Sequence, residues 1–126
     1  MGVIHCDIKP ENILLIKNES NHVKIIDYGS AIFVTANNLH FEMQTLPYRA
    51  PEITLGADYD YSIDMWSLGC ILYEMVTHKV LFAHSDPRKN LVKALSINKT
   101  LDLTTFTNIR NDQMFLDSLP VLQKNH

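Results

Sequence analysis

A mainly α-helical fold carrying one small β-hairpin is predicted for this chain, on three observations. Residues 63–76 are apolar on nearly every helical face, interrupted mainly by Asp64, Ser67 and Glu74. Residues 12–16 and 23–26 are short runs rich in Leu, Ile and Val, separated by the polar stretch 17–22, the pattern of two strands and a connecting loop. Residues 86–97 show a weaker amphipathic period carried by Leu91, Val92 and Leu95.

Taken in order, the first two runs form a hairpin whose loop is longer than the two-residue minimum. Its closure folds Asp27, just after the second strand, back towards Asn12, just before the first. Residues 31–44 show neither period, with Asn37-Asn38 as the most turn-like point, and are read as a loop. Asp60 or Ser62 supplies an N-cap for the helix over 63–76, and a helix hydrophobic all round belongs in the middle of a protein. Leu81-Phe82 is an apolar return towards the core. Residues 98–126 are rich in Thr, Asn and Asp with scattered Leu and Phe, and no element is assigned there.

With 126 residues, 46% apolar and 20% charged, the chain is expected to be one globular domain able to bury a core. A formal charge of −3 without a run of basic residues argues against partners that are nucleic acid or an acidic membrane. Cys6 and Cys70 form no disulfide framework and no paired ligand motif, so both are read as buried or half-buried thiols in a reducing compartment. The six histidines show no metal spacing, which argues against zinc. No apolar run reaches the roughly 18 residues of a membrane span and no charged-then-apolar leader opens the chain. An intracellular location, cytoplasm or nucleus, is expected. Met1-Gly2 does not continue as a myristoylation signal, because Cys6 stands where Ser or Thr is needed. The two Asn-x-Ser/Thr triplets at Asn18 and Asn98 are read as coincidence without a secretory leader.

The informative stretch is His5-Cys6-Asp7-Ile8-Lys9-Pro10-Glu11-Asn12. It resembles the catalytic loop H-R-D-x-x-x-x-N of eukaryotic protein kinases. Asp27-Tyr28-Gly29 resembles the kinase D-F-G with Tyr for Phe, Ala50-Pro51-Glu52 matches A-P-E, and Asp64-Met65-Trp66-Ser67-Leu68-Gly69 follows in the family's order. The resemblance covers residues 2–97. It implies a protein-kinase-like C-lobe, with a catalytic loop over 5–12, an activation segment over 27–52 and a central helix over about 62–77. It also implies a serine/threonine kinase that transfers the γ-phosphate of ATP to a protein hydroxyl with Mg2+.

The resemblance assigns roles residue by residue. Asp7 orients the acceptor hydroxyl, and Lys9 neutralises the γ-phosphate, as in Ser/Thr kinases. Thr45, seven residues before Glu52, hydrogen-bonds Asp7 and Lys9. Asn12 and Asp27 are the magnesium ligands and so, with Lys9, bind the nucleotide. Asp64, expected to be buried, accepts backbone N–H groups of the catalytic loop, and His5 packs beside it as a structural residue. Read without the family, Asp27 is an ordinary Asp-x-Gly turn, Asn12 a turn amide and Lys9 a solvated lysine.

Tyr48-Arg49-Ala50-Pro51-Glu52 resembles the CMGC group, and His-Cys-Asp points to its dual-specificity Tyr-regulated and homeodomain-interacting kinases. Leu46 is closer to the cyclin-dependent pattern, and Glu42 stands where the activating tyrosine would align. Cys6 replaces the arginine that reads an activation-loop phosphate, and residues 36–44 hold no Ser, Thr or Tyr, so activation is expected not to depend on a phosphate there. The sequence holds no Gly-rich phosphate loop, no V-A-I-K-type lysine and no identifiable arginine partner for Glu52. The N-lobe is therefore expected to be absent. Three readings stay open: a piece of an active kinase, a non-catalytic binding module derived from one, and a pseudokinase.

Overall fold

The computed structural model describes residues 2–34, 43–98 and 100–109. Within them the chain is helix-rich with a few short antiparallel strands. β1 (Val3–Ile4) leads into the loop 5–12, which ends in a single 3-10 turn, Pro10–Asn12. β2 (Ile13–Leu15) and β3 (Val23–Ile25) follow, then β4 (Ile32–Phe33). After a second 3-10 turn, Leu46–Tyr48, come α1 (Pro51–Thr54), α2 (Ser62–Thr77) and α3 (Pro87–Ile97).

β2 and β3 form the expected antiparallel hairpin, pairing Ile13 with Ile25 and Leu15 with Val23. The register continues past the strand, where the Ile26 N–H donates to Asn12 O at 2.9 Å. Asn18, the turn-prone residue of the connecting loop, takes the left-handed φ of 68° that a reversal needs. The hairpin reaches the core mainly through Ile13, while Leu15 is 81% exposed.

The loop expected over 31–44 is corrected in part. Ile32 and Phe33 pair antiparallel with Ile4 and Val3, so this stretch opens with a strand. Two residues carry no period, and a pairing partner nearly 30 positions away leaves no local trace. Residues 35–42, including Asn37-Asn38 and Glu42, lie outside the described residues.

The helix expected over 63–76 runs from Ser62 to Thr77. Asp60 Oδ1 accepts the Ser62 N–H at 2.8 Å, so Asp60 does the N-terminal work just outside the helix. His78 closes the other end in the left-handed region, donating its N–H to Glu74 O at 2.8 Å. Burial corrects the expectation of an all-round buried helix. Ile63, Ser67, Cys70 and Ile71 are buried at helical spacing, while Met65, Leu72, Tyr73, Met75 and Val76 are exposed. Among the described residues only one face of α2 is covered.

The core has three parts. Ile4, Cys6, Ala50, Ile53 and Ile63 join β1 and the loop after it to α1 and the start of α2. Ile8, Tyr48, Cys70, Ile71, Phe82 and Ala94 form the second, with the Trp66 and Phe82 rings stacked at 5.7 Å. Leu55, Ala57, Leu91 and Leu95 form the third. Against it pack Leu101, Leu103, Phe106 and Ile109, so the described part of the unassigned stretch is a docked segment. Its 3-10 turn Leu103–Thr105 is closed by an Asp102 capping box, and the Asp58 N–H donates to Thr107 O at 2.8 Å. Irregular backbone with scattered apolar anchors has no period, which is why the sequence left this segment unread.

Candidate active site

The loop 5–12 is held from beneath by the first turn of α2. Asp64 Oδ2 accepts the His5 N–H at 2.7 Å, and Oδ1 accepts the Cys6 N–H at 3.1 Å. Asp64 is half-buried rather than buried, because its helix face opens beside the loop it anchors. This clamp holds Cys6 at φ 70°, a left-handed conformation unfavourable for a residue with a Cβ. The Cys6 thiol lies inside, pushed up to about 11 by burial and then by the charge of Asp64. Burial likewise pushes the Cys70 thiol up to about 11. Both thiols are protonated at neutral pH and act as small core residues rather than nucleophiles.

His5 is buried, and its ring roles follow from its partners. Its Nδ1 accepts the Asp7 N–H at 3.1 Å, so the proton sits on Nε2, which donates to Ile26 O at 2.9 Å. The ring thus ties the loop to the end of β3, and Tyr28 meets it edge-on at 4.9 Å. His5 is spent on structure, with neither nitrogen left for metal or proton transfer.

Above this platform Asp7, Lys9 and Thr45 close a triangle. The Thr45 hydroxyl donates to Asp7 Oδ1 at 2.6 Å and accepts from Lys9 Nζ at 3.1 Å, while Nζ lies 3.5 Å from Asp7 Oδ2. The Asp7 and Lys9 side chains keep 18% and 24% of their exposure, so the pair is positioned yet open to a ligand. Asn12 is buried below, its amide nitrogen donating to Asp7 O at 2.8 Å and, weakly, to Asp7 Oδ2 at 3.4 Å. That bond fixes the flip of the amide and turns its oxygen to the opposite side.

Asp27 sits one residue past the Ile26–Asn12 pair, at the open end of the hairpin. Its φ is 61°, and its Oδ1 accepts the Gly29 N–H at 3.3 Å. A Cβ at Gly29 would stand 3.2 Å from that oxygen, so glycine leaves the carboxylate room. Asp27 is exposed and does not join the Asp7 triangle. Asn12 and Asp27 offer oxygen donors, the chemistry Mg2+ takes, and two protein ligands completed by phosphates is a common arrangement. Among the described residues no group of three or more His, Cys, Asp or Glu could hold a metal by itself.

Sequence reasoning missed the residue that positions Thr45. Gln44 is buried at φ 68°, its Nε2 donating to Ser67 Oγ and Ile63 O, both at 2.9 Å, and its Oε1 accepting the Ala50 N–H at 2.8 Å. Arg49 forks onto the same turn, donating from Nε to Met43 O at 3.0 Å and from Nη2 to Gln44 O at 3.0 Å. Ser67, a polar residue on the buried stripe of α2, was the available signal, since a buried hydroxyl needs a partner. A shallow pocket of about 280 Å3 results, lined by Cys6, Asp7, Ser30, Met43, Gln44 and Thr45.

The sequence that forms this loop and these strands and helices matches the protein kinase domain family over residues 1–121. The chain belongs to the protein kinase family. It is 38% identical over 117 residues to a probable dual specificity protein kinase YAK1 homolog of Encephalitozoon cuniculi, covering 93% of this chain and 29% of that protein. It is 39% identical over 117 residues to dual specificity tyrosine-phosphorylation-regulated kinase 2 of Drosophila melanogaster, covering 93% of this chain and 16% of that protein. The chain therefore spans less than a third of either relative. Kinship with dual-specificity kinases agrees with the His-Cys-Asp signature, and the family match runs beyond residue 97, where the sequence resemblance ended.

Proposed function

We propose that this chain is the C-lobe part of a kinase domain that transfers the γ-phosphate of ATP to a serine or threonine hydroxyl of a protein substrate. The observation that carries the reading is the Asp7–Thr45–Lys9 triangle. A hydroxyl acceptor needs orientation and charge compensation more than covalent help. Asp7 Oδ2 would accept from that hydroxyl while Thr45 holds Oδ1 in place. Lys9 would lie against the incoming phosphoryl group, steadied by the Thr45 oxygen. Asn12 and Asp27 would hold Mg2+, which supplies charge neutralisation on the nucleotide phosphates. The serine/threonine preference rests on Lys9 and Thr45, since the relatives' own names speak of dual specificity.

The test uses a complete kinase domain containing this segment. Asp7→Asn should abolish phosphoryl transfer with nucleotide affinity nearly unchanged, and Asp27→Asn should weaken magnesium-nucleotide binding. Nucleotide titration and single-turnover phosphorylation of Ser, Thr and Tyr peptides separate the roles. Equal loss of ATP affinity in both variants would sink the assignment.

A second reading, a non-catalytic binding module, is favoured by one feature, the uncovered apolar face of α2. Phosphoryl transfer by the complete domain would exclude it.

A further inference from the structure

The absence of a basic run in the sequence hides a basic groove in the fold. Along α3, Lys89 and Lys93 stand one turn apart on the same face, with Arg88 and Val92 beside them. They line a groove of about 500 Å3 whose other walls are His84, Asp86 and Ser96. The far wall is tied to α3, because Asn90 is buried and bonds both backbone groups of His84: the His84 N–H donates to Asn90 Oδ1 at 3.1 Å, and Asn90 Nδ2 donates to His84 O at 3.0 Å.

Three cations face one carboxylate here, and that carboxylate is already engaged. Asp86 caps the helix by accepting the Arg88 N–H at 3.0 Å, and the Arg88 guanidinium closes on it at 3.1 and 3.2 Å. Lys93 donates to the neutral Leu81 O at 2.6 Å, a bond that aims the ammonium without cancelling its charge. Lys89 makes no ion pair among the described residues. A chain with a formal charge of −3 thus gathers an excess of positive charge, carried by Lys89 and Lys93 over one helical turn, above the apolar side chain of Val92.

We propose that this groove docks an Asp- and Glu-rich segment of a protein partner. Carboxylates complement the charges of Lys89 and Lys93, and Val92 offers a floor for an apolar neighbour. A nucleic acid fits less well, since it needs phosphate contacts along an extended basic track and the net charge of the chain repels it. The groove shares no residue with the pocket around Asp7, so docking there leaves the candidate active site open.

The test is fluorescence anisotropy of a labelled Asp- and Glu-rich peptide, with the full 126-residue chain fused to a soluble carrier and the carrier alone as blank. Binding should appear at low salt and fade as salt rises. Lys89→Glu should weaken it roughly fivefold to tenfold, while Lys89→Arg retains it. Ser96→Asp, which puts a negative charge in the groove without removing a lysine, should weaken it as well. Melting temperatures equal to wild type would show that both positions are exposed surface. Undetectable peptide binding, unchanged affinity in Lys89→Glu, or duplex DNA competing at equal concentration would each overturn the proposal. The readout is independent of phosphoryl transfer, so its failure leaves the kinase reading untouched.

Discussion

Glu52, on α1 and outside the candidate active site, shows how a single partly buried carboxylate can be out of balance. Burial raises its carboxyl above the ordinary range, the nearby Asp60 charge adds to the effect, and no ion pair to it is found among the described residues. A raised carboxyl pKa means that the folded chain binds more protons than the unfolded one in the window above the ordinary value. The contribution of Glu52 to stability is therefore most favourable at acid pH and falls as pH rises through that window. Glu52→Gln should raise the melting temperature at neutral pH and leave it unchanged below about pH 3, where the carboxyl is protonated in both states. A lower melting temperature at neutral pH would mean that the carboxylate has a favourable partner.

At the scale of elements, the loop 5–12 depends on α2 more than on its own sequence. Asp64 satisfies two backbone donors and holds Cys6 in a conformation it would otherwise leave. Asp64→Ala should cost about 2–4 kcal/mol, because two partly buried N–H groups lose charged acceptors. Asp64→Asn should cost less, since one amide oxygen can replace one of the two acceptors. Chemical denaturation of both variants checks the ranking, and equal stability of Asp64→Ala and wild type would remove Asp64 from its anchoring role. Gln44 does the same work on the other side, so Thr45 reaches Asp7 only while Gln44 is locked between Ser67 and Ala50.

The whole molecule has an apolar surface that its own described residues leave open. Leu72, Met75 and Val76 on α2 face outward, and beside them Leu15, Val23 and Ile25 of the hairpin help line an apolar groove of about 430 Å3. Contiguous apolar surface of this kind favours association. The 126-residue chain by itself should aggregate, bind ATP poorly and show no kinase activity, because its sequence holds no glycine loop or paired lysine to enclose the phosphates. Met75→Lys together with Val76→Lys should raise solubility without lowering the melting temperature, read by light scattering and thermal unfolding. A wild-type chain that proves monomeric, cooperatively folded and active on a generic protein substrate would refute this.

The sequence by itself determined the hairpin, both longer helices and the family, and it marked the candidate site residues, because each rests on local chemistry. Period and turn residues mark the elements, and the order of short motifs from His5 to Gly69 marks the family. It could not show how these pieces meet. The β1–β4 pairing, the docking of residues 101–109, the Gln44 lock and the gathering of Lys89 and Lys93 beside His84 all join positions that neither spacing nor composition relates. Burial was the other gap: α2 reads as apolar throughout, and only the packed chain decides that Ile63, Ser67, Cys70 and Ile71 turn inward while Met75 and Val76 do not. Hydrophobicity states what a face prefers, and the neighbours available in the fold determine which face is covered.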